Sequence, residues 1–213
     1  MATRTITENV NQAVQDFDNI KQAIIDKGIE VPNGTPTSEY ADKIGTIKSN
    51  GLDTSTVTDF SYFAQKDRFT EEQLQNINTK IGTNFSYMFY NCTSLTTIPQ
   101  LDTSSGNSFN NMFRSCSRLT TIELTSFISS NSMFYNCSAL ENLTVTGTIT
   151  VNNNYLKLSS SQKLTVESLM SVINALSDNT GGTTYTVILG ATNLAKLTDE
   201  QKQIAIDKNY TLA

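Results

Sequence analysis

One phrase occurs three times in the middle of the chain. Met88-Phe89-Tyr90-Asn91-Cys92-Thr93-Ser94-Leu95-Thr96-Thr97-Ile98 returns as Met112-Phe113-Arg114-Ser115-Cys116-Ser117-Arg118-Leu119-Thr120-Thr121-Ile122. It returns again as Met133-Phe134-Tyr135-Asn136-Cys137-Ser138-Ala139-Leu140-Glu141-Asn142-Leu143. The Cys-to-Cys intervals are 24 and 21 residues, and Met, Phe, Cys, Leu and Ile/Leu keep their places. A period in the low twenties with aliphatic residues in fixed register predicts a solenoid of stacked coils. One such coil cannot bury its apolar face alone, so equivalent side chains of neighbouring coils must form ladders.

The flanks set the predicted boundaries. Ile6, Val10, Ala13, Phe17, Ile20 and Ile24 are spaced 4, 3, 4, 3 and 4, an a/d seam that ends at Gly28. Two readings of this helix stand side by side: an oligomerising helix, and an amphipathic helix packed on its own small domain. A turn-rich connector and a short helix with Tyr40, Ala41, Ile44 and Ile47 on one face follow. Ser49-Asn50-Gly51 closes that module. Asp59-Phe60-Ser61-Tyr62-Phe63 resembles Asn84-Phe85-Ser86-Tyr87-Met88 and reads as a degenerate opening coil, interrupted by a charged helical insertion near Glu71 to Lys80. Beyond the repeats, strands are expected over Leu143 to Val151, Tyr155 to Leu158 and Thr184 to Leu189. Thr165 is placed to cap a helix reaching about Leu176, and Thr198-Asp199-Glu200-Gln201 is a capping box for a last helix with Ile204 buried. Tyr210 to Ala213 makes a final strand. The expected class is α+β: a helical attachment module (1–50), a short leucine-rich-repeat solenoid (51–160), and a helix-and-strand cap (161–213).

Composition argues against several functions. The net charge is −5 and Lys/Arg residues form no stripe, so the cationic footprint of a nucleic-acid binder is missing. No stretch approaches the roughly 20 apolar residues that span a bilayer, which points away from membrane insertion. The start, Met1 to Asn9, lacks the apolar core of a secretory signal, so folding in a cytoplasm is expected. The three Cys share one repeat position, which favours buried packing over a disulfide framework.

Chemistry is scarce. The chain has no His, which removes the commonest general base and metal ligand and any Ser-His or Cys-His nucleophile. Asp102 and Glu123 are candidate paired carboxylates, but no Trp or aromatic sugar platform accompanies them. The expectation is a protein without catalytic residues, cofactor or metal. Binding is the better prospect. Tyr90, Arg114 and Tyr135 occupy the same slot after Phe89, Phe113 and Phe134, about 5 Å apart from coil to coil. An aromatic and cationic row is suited to recognition; internal stacking along the coil edge, with Arg114 between two Tyr rings, is the favoured reading of the same row.

The Met-Phe-x-x-Cys-[Ser/Thr]-x-Leu-x-x-[Ile/Leu] phrase, over about residues 84–151, resembles the BspA-like leucine-rich repeat of bacterial surface adhesins and bacteriophage proteins. Leu164 to Met170, Leu189-Gly190 and Ala195 to Gln201 look like the terminal cap of the phage-borne forms. Ala23 to Val31 leading to Tyr40 to Ile44 is similar to modules opening phage tail and virion-surface proteins. The resemblance implies a virion structural protein, in a tail, baseplate or head appendage, assembled in the host cytoplasm. Its partners would be other virion proteins, a second copy through the N-terminal helix, and a host surface glycan or protein. A purely structural head-fibre, neck or baseplate part and a bacterial cell-surface adhesin are the alternatives. No catalytic or ligand residue transfers from the family to a numbered position.

Overall fold

The computed structural model describes residues 54–152 and 156–213, which fall in one of the chain's two units, Gly51–Ala213. The attachment module and its seam residues Ile6, Val10, Ala13, Phe17, Ile20 and Ile24 lie outside the described residues, as does Tyr155.

The repeated phrase folds into a run of tight turns whose amides serve two purposes alternately. Met88, Tyr90 and Cys92 donate to the carbonyls of Phe85, Tyr87 and Phe89, at 3.2, 3.0 and 3.2 Å, closing turns within the coil. Phe85, Tyr87, Phe89 and Asn91 donate to Ser108, Asn110, Met112 and Arg114 of the next coil, at 2.8 to 2.9 Å. With the Ser86 amide donated to Asn84 Oδ1, every amide from Phe85 to Cys92 is satisfied without a helix or a continuous strand. This alternation needs two left-handed backbone positions per turn. Tyr62, Tyr87, Asn111 and Ser132 occupy the first, and Lys66, Asn91, Ser115 and Asn136 the second, all with φ between 55 and 64°. Asn tolerates this region well; Tyr62 and Tyr87 are held there against a cost of order 1 kcal/mol by the bonds on either side. Asn91, Ser115 and Asn136 are turn residues. The segment before them bonds onward in the same way: Phe60, Tyr62, Ala64 and Lys66 donate to Asn84, Ser86, Met88 and Tyr90.

Inside, side chains stack by type. Phe60, Phe85 and Phe109 form one column, with centroids 5.6 and 5.4 Å apart and planes within 13°. Phe89, Phe113 and Phe134 form a second, at 5.5 and 5.8 Å. Phe127 closes the first column by turning edge-on to both Phe109 and Phe134. Met88, Met112, Met133, Leu95, Leu119 and Leu140 are buried around them. The three thiols are buried and each donates to a carbonyl of the preceding coil: Cys92 to Ala64, Cys116 to Phe89 and Cys137 to Phe113, at 2.9 to 3.0 Å. They are unoxidised packing residues.

Strand content is small and no sheet closes. β1 (Thr121–Leu124) pairs in parallel with β3 (Asn142–Val145), and β2 (Phe127–Ile128) with β4 (Ile149–Thr150). In the earlier coils strand-type pairing is reduced to isolated bridges such as Asp59 with Asn84 and Leu101 with Leu124. Pro99 stands where β1 has Glu123, and without an N–H it cannot extend the ladder into that coil.

Beyond the coils, a helix over Val166–Ala175 begins at Thr165, whose side chain accepts the Ser168 amide. A last helix, Asp199–Asp207, carries the expected capping box between Thr198 and Gln201. β5 (Tyr185–Val187) pairs in parallel with β6 (Tyr210–Leu212). Three expectations need correction. The helix in the insertion is confined to Glu71–Leu74, because only that turn has the Thr70–Gln73 capping box and an apolar anchor in buried Leu74. Ala205 is the fully buried residue of the last helix, and Ile204, expected as its buried side, is only partly so, packed against the core. Around Leu156 to Leu158 there is an isolated bridge from Lys157 to Ile188 in place of a strand.

Candidate functional site

Because the apolar positions are committed to the ladders, each turn offers two outward columns. The left-handed position supplies Tyr62, Tyr87 and Ser132, with Asn111 buried at the same position of the third turn. The slot three residues later supplies Gln65, Tyr90, Arg114 and Tyr135. Tyr62 and Tyr87 stack face to face at 4.7 Å with planes 6° apart, and Tyr90 meets Tyr87 edge-on at 5.6 Å. The Arg114 guanidinium lies over the Tyr135 ring, 5.0 Å from its centroid, and its Nη1 donates to Asn111 Oδ1 at 3.3 Å.

The structure therefore pairs two of the three sequence-selected residues, Arg114 and Tyr135, and turns the third toward another partner. Tyr90 leans on Tyr87, the residue at the neighbouring left-handed position. Sequence comparison of one slot could not find this, since Tyr62 and Tyr87 sit in a different repeat position. Their signal was the Phe-Ser-Tyr triplet at 60–62 and 85–87, 25 residues apart. Tyr62 and Tyr135, at 46% and 56% exposure, are the open ends of this face; Tyr87, Tyr90 and Arg114 are half-buried between them.

The ends of the stack are closed by side chains that imitate an absent coil. At corners within the stack, Thr120 donates to Thr96, and Glu141 and Asn142 donate to Thr120, at 2.8 to 3.0 Å. Ahead of Thr96, the acceptor is a carboxylate: Glu71 Oε1 takes the amides of Thr96 and Thr97 and the Thr96 hydroxyl. These bonds hold the Glu71 carboxyl down at about 2, the Thr96 hydroxyl contributing most. Asp67 accepts the amides of Thr93 and Ser94 in the same manner. At the other end hydroxyls take over. Ser168 Oγ accepts the Leu143 amide and donates to the Glu141 carbonyl, both at 3.0 Å. Ser171 Oγ accepts the Val145 amide at 2.9 Å, and Ser160 Oγ that of Asn136 at 3.0 Å. The exposed edge of β3 is thus neutralised by a helix that carries serines at the right spacing.

The carboxylates considered for acid–base work are placed otherwise. Asp102 accepts the Ser104 hydroxyl at 2.6 Å, the Ser104 amide and the Thr125 hydroxyl, and these bonds, Ser104's foremost, lower its pKa. It is an acceptor that joins coils, not a proton donor. Glu123 is exposed on β1. Among the described residues no group of three or more His, Cys, Asp and Glu side chains is arranged to hold a metal ion, and no helix is long and apolar enough to cross a membrane.

Residues 39–148, more than half of the chain, match the family described as Mycoplasma protein of unknown function, DUF285. No curated protein and no solved structure matches the chain.

Proposed function

The chain belongs to the DUF285 family, and from that premise we propose that it is a non-enzymatic display scaffold on a bacteriophage particle. In this reading residues 51–160 are a short BspA-like leucine-rich-repeat solenoid, and 161–213 are its cap. Residues 1–50 attach it to other virion proteins, as a homo-oligomer, in a tail, baseplate or head appendage. The outward face then meets a glycan or protein of the host surface.

The observation that carries the reading is the division of labour inside each turn. Phe, Met, Cys and Leu are spent on ladders, while the two outward columns change from coil to coil and bring Tyr62, Tyr87, Tyr90, Arg114 and Tyr135 onto one face. Side chains already stacked on one another lose little freedom when a ligand arrives, so little ordering entropy opposes binding. Weak single contacts are multiplied when many copies sit on one particle.

A second reading, a bacterial cell-surface adhesin, is favoured by the family description, which names a cellular bacterium. Antibody labelling of purified particles and of host envelopes, alongside binding of the purified full chain to host cells, separates the possibilities. Label on particles with binding to cells supports the proposal. Label on particles without cell binding makes the chain a purely structural head-fibre, neck or baseplate part. Label on a bacterial envelope, with none on particles, makes it an adhesin.

A further inference from the structure

The display reading leaves the ligand open, and the outward face narrows it. Resting on that reading, we propose that the face is a binding site for an extended anionic carbohydrate, a chain of polyol or sugar units bearing carboxylate or phosphate groups. Arg114 is the anion contact and the ring of Tyr135 is the sugar platform.

Three observations lead there. Arg114 is held without being neutralised. It rests on Tyr135 at 5.0 Å and on Asn111 Oδ1 at 3.3 Å, and no carboxylate among the described residues is within ion-pair range of it. One hydrogen bond leaves most of its five donors unspent, in a planar fork that suits carboxylate or phosphate. A chain of net charge −5 repels anions at long range, so an unpaired, pre-positioned guanidinium stands out as a local anion contact. Lys66 is a second exposed cation, joined through its amide to the Tyr90 carbonyl at 2.9 Å.

The aromatic geometry supplies the rest. Where Tyr62 and Tyr87 stack at 4.7 Å, they cover one face of each other and offer edges and hydroxyls outward. Tyr135 has one face against Arg114, and at 56% exposure it keeps surface for a ring to lie on. A sugar stacked on Tyr135 places its acidic substituent beside the guanidinium. From Tyr62 to Tyr135 there are three coil steps, roughly 15 Å at the ordinary strand spacing. That length matches a short run of linked units along the stack, with hydroxyl partners from Tyr87 and Tyr90. A compact ligand would use only one end.

Titration calorimetry on the purified full chain tests this with three probes: an oligogalacturonate, a poly(glycerol phosphate) and neutral dextran. At least one anionic probe is expected to bind, more weakly as salt is raised, with no heat from dextran. Which of the two binds identifies the acidic group. Arg114→Gln and Tyr135→Ala should each weaken binding about tenfold or more, roughly 1.4 kcal/mol, and Arg114→Lys should recover part of the loss. Unchanged thermal melting of these surface variants separates lost contact from lost folding. The proposal is overturned if neither anionic probe binds, if dextran binds equally, or if Arg114→Gln binds as well as the parent. If the probes fail while host cells are still bound, the carbohydrate assignment falls and the display reading stands. If the probes bind and cells do not, the site stands and the display reading falls.

Discussion

Glu71 Oε1 accepts the Thr96 amide at 2.6 Å, filling for that corner the role that the Thr96 carbonyl fills for Thr120 one coil later, at 2.8 Å. A carboxylate from a one-turn helix thus stands in for the backbone of a missing coil. The substitution has a titration signature, because a backbone carbonyl carries no proton and a carboxylate can.

The folded-state pKa of Glu71 is depressed from 4.5 to about 2. A depressed carboxylate contributes stability that is fully present above its unfolded value and is lost as pH falls through its folded value. The contribution of Glu71 is therefore complete above about 4.5 and vanishes as pH approaches 2. Glu71→Gln should lower stability at neutral pH by about 1 kcal/mol, the low end for a charged acceptor because this one is part-exposed. That corresponds to a fall in Tm of about 2–4 °C. Thermal melts of parent and variant from pH 7 downward should converge below pH 4.5. Parallel curves throughout would remove the capping role.

Phe113 has a stacked ring on both sides, Phe89 at 5.5 Å and Phe134 at 5.8 Å. Phe113→Ala opens a gap in the middle of that column and should cost about 3–5 kcal/mol in urea unfolding. Tyr135→Ala, on the outer face of the same turn, should change stability by no more than about 0.5 kcal/mol. Equal losses at the two positions would contradict the separation of ladder from display face.

Gly106 lies against the first column, and a methyl built on it would overlap the ring of Phe109 and crowd that of Phe85. Its φ lies in the ordinary region, so the constraint is space alone. Gly106→Ala should destabilise by about 1–3 kcal/mol, measured by the same denaturant titration. A neutral or stabilising result would show that the Phe column shifts freely.

Ser168 accepts the Leu143 amide of β3 and donates to the neighbouring Glu141 carbonyl, so Ser168→Ala strands the Leu143 amide, while the Glu141 carbonyl keeps the Thr165 amide. The expected loss is about 1–3 kcal/mol. Hydrogen exchange gives the sharper readout, since the Leu143 amide should lose protection more than that of Ile122, which is deeper in the stack.

Burial pushes the Cys137 thiol up to about 12, and contact with Cys92 together with burial raises Cys116. Thiolate is the reactive form. Ellman's reagent should accordingly find these two thiols silent in the native chain at pH 8 and all three cysteines reactive in guanidinium. Rapid native labelling of Cys137 would mean that the last coil opens.

Much of this fold was legible in advance because a repeat states its core several times over. Met112, Phe113, Cys116, Leu119 and Ile122 each recur at the same position in the neighbouring phrase, so their burial followed from recurrence alone. Local signals did as well where hydrogen bonds are close in sequence: Thr165 and Thr198 cap the helices assigned to them. Contacts between unlike elements were not legible. Nothing in the spacing of Glu71, Asp67 or Ser168 announces that each will satisfy amides 25 to 27 residues away.

The amino-acid sequence by itself determined the periodicity, the residues of each ladder and the outward slot holding Tyr90, Arg114 and Tyr135. These depend on which side chains must leave water together, and repetition records that directly. Only the tertiary structure decided that Tyr62 and Tyr87 join this face, that Arg114 settles on Tyr135, and that carboxylates and serines close the two ends. Those outcomes depend on which orphan amides and ring faces the stacking of coils brings within a few ångströms, and pairing across coils has no periodic trace in a single chain.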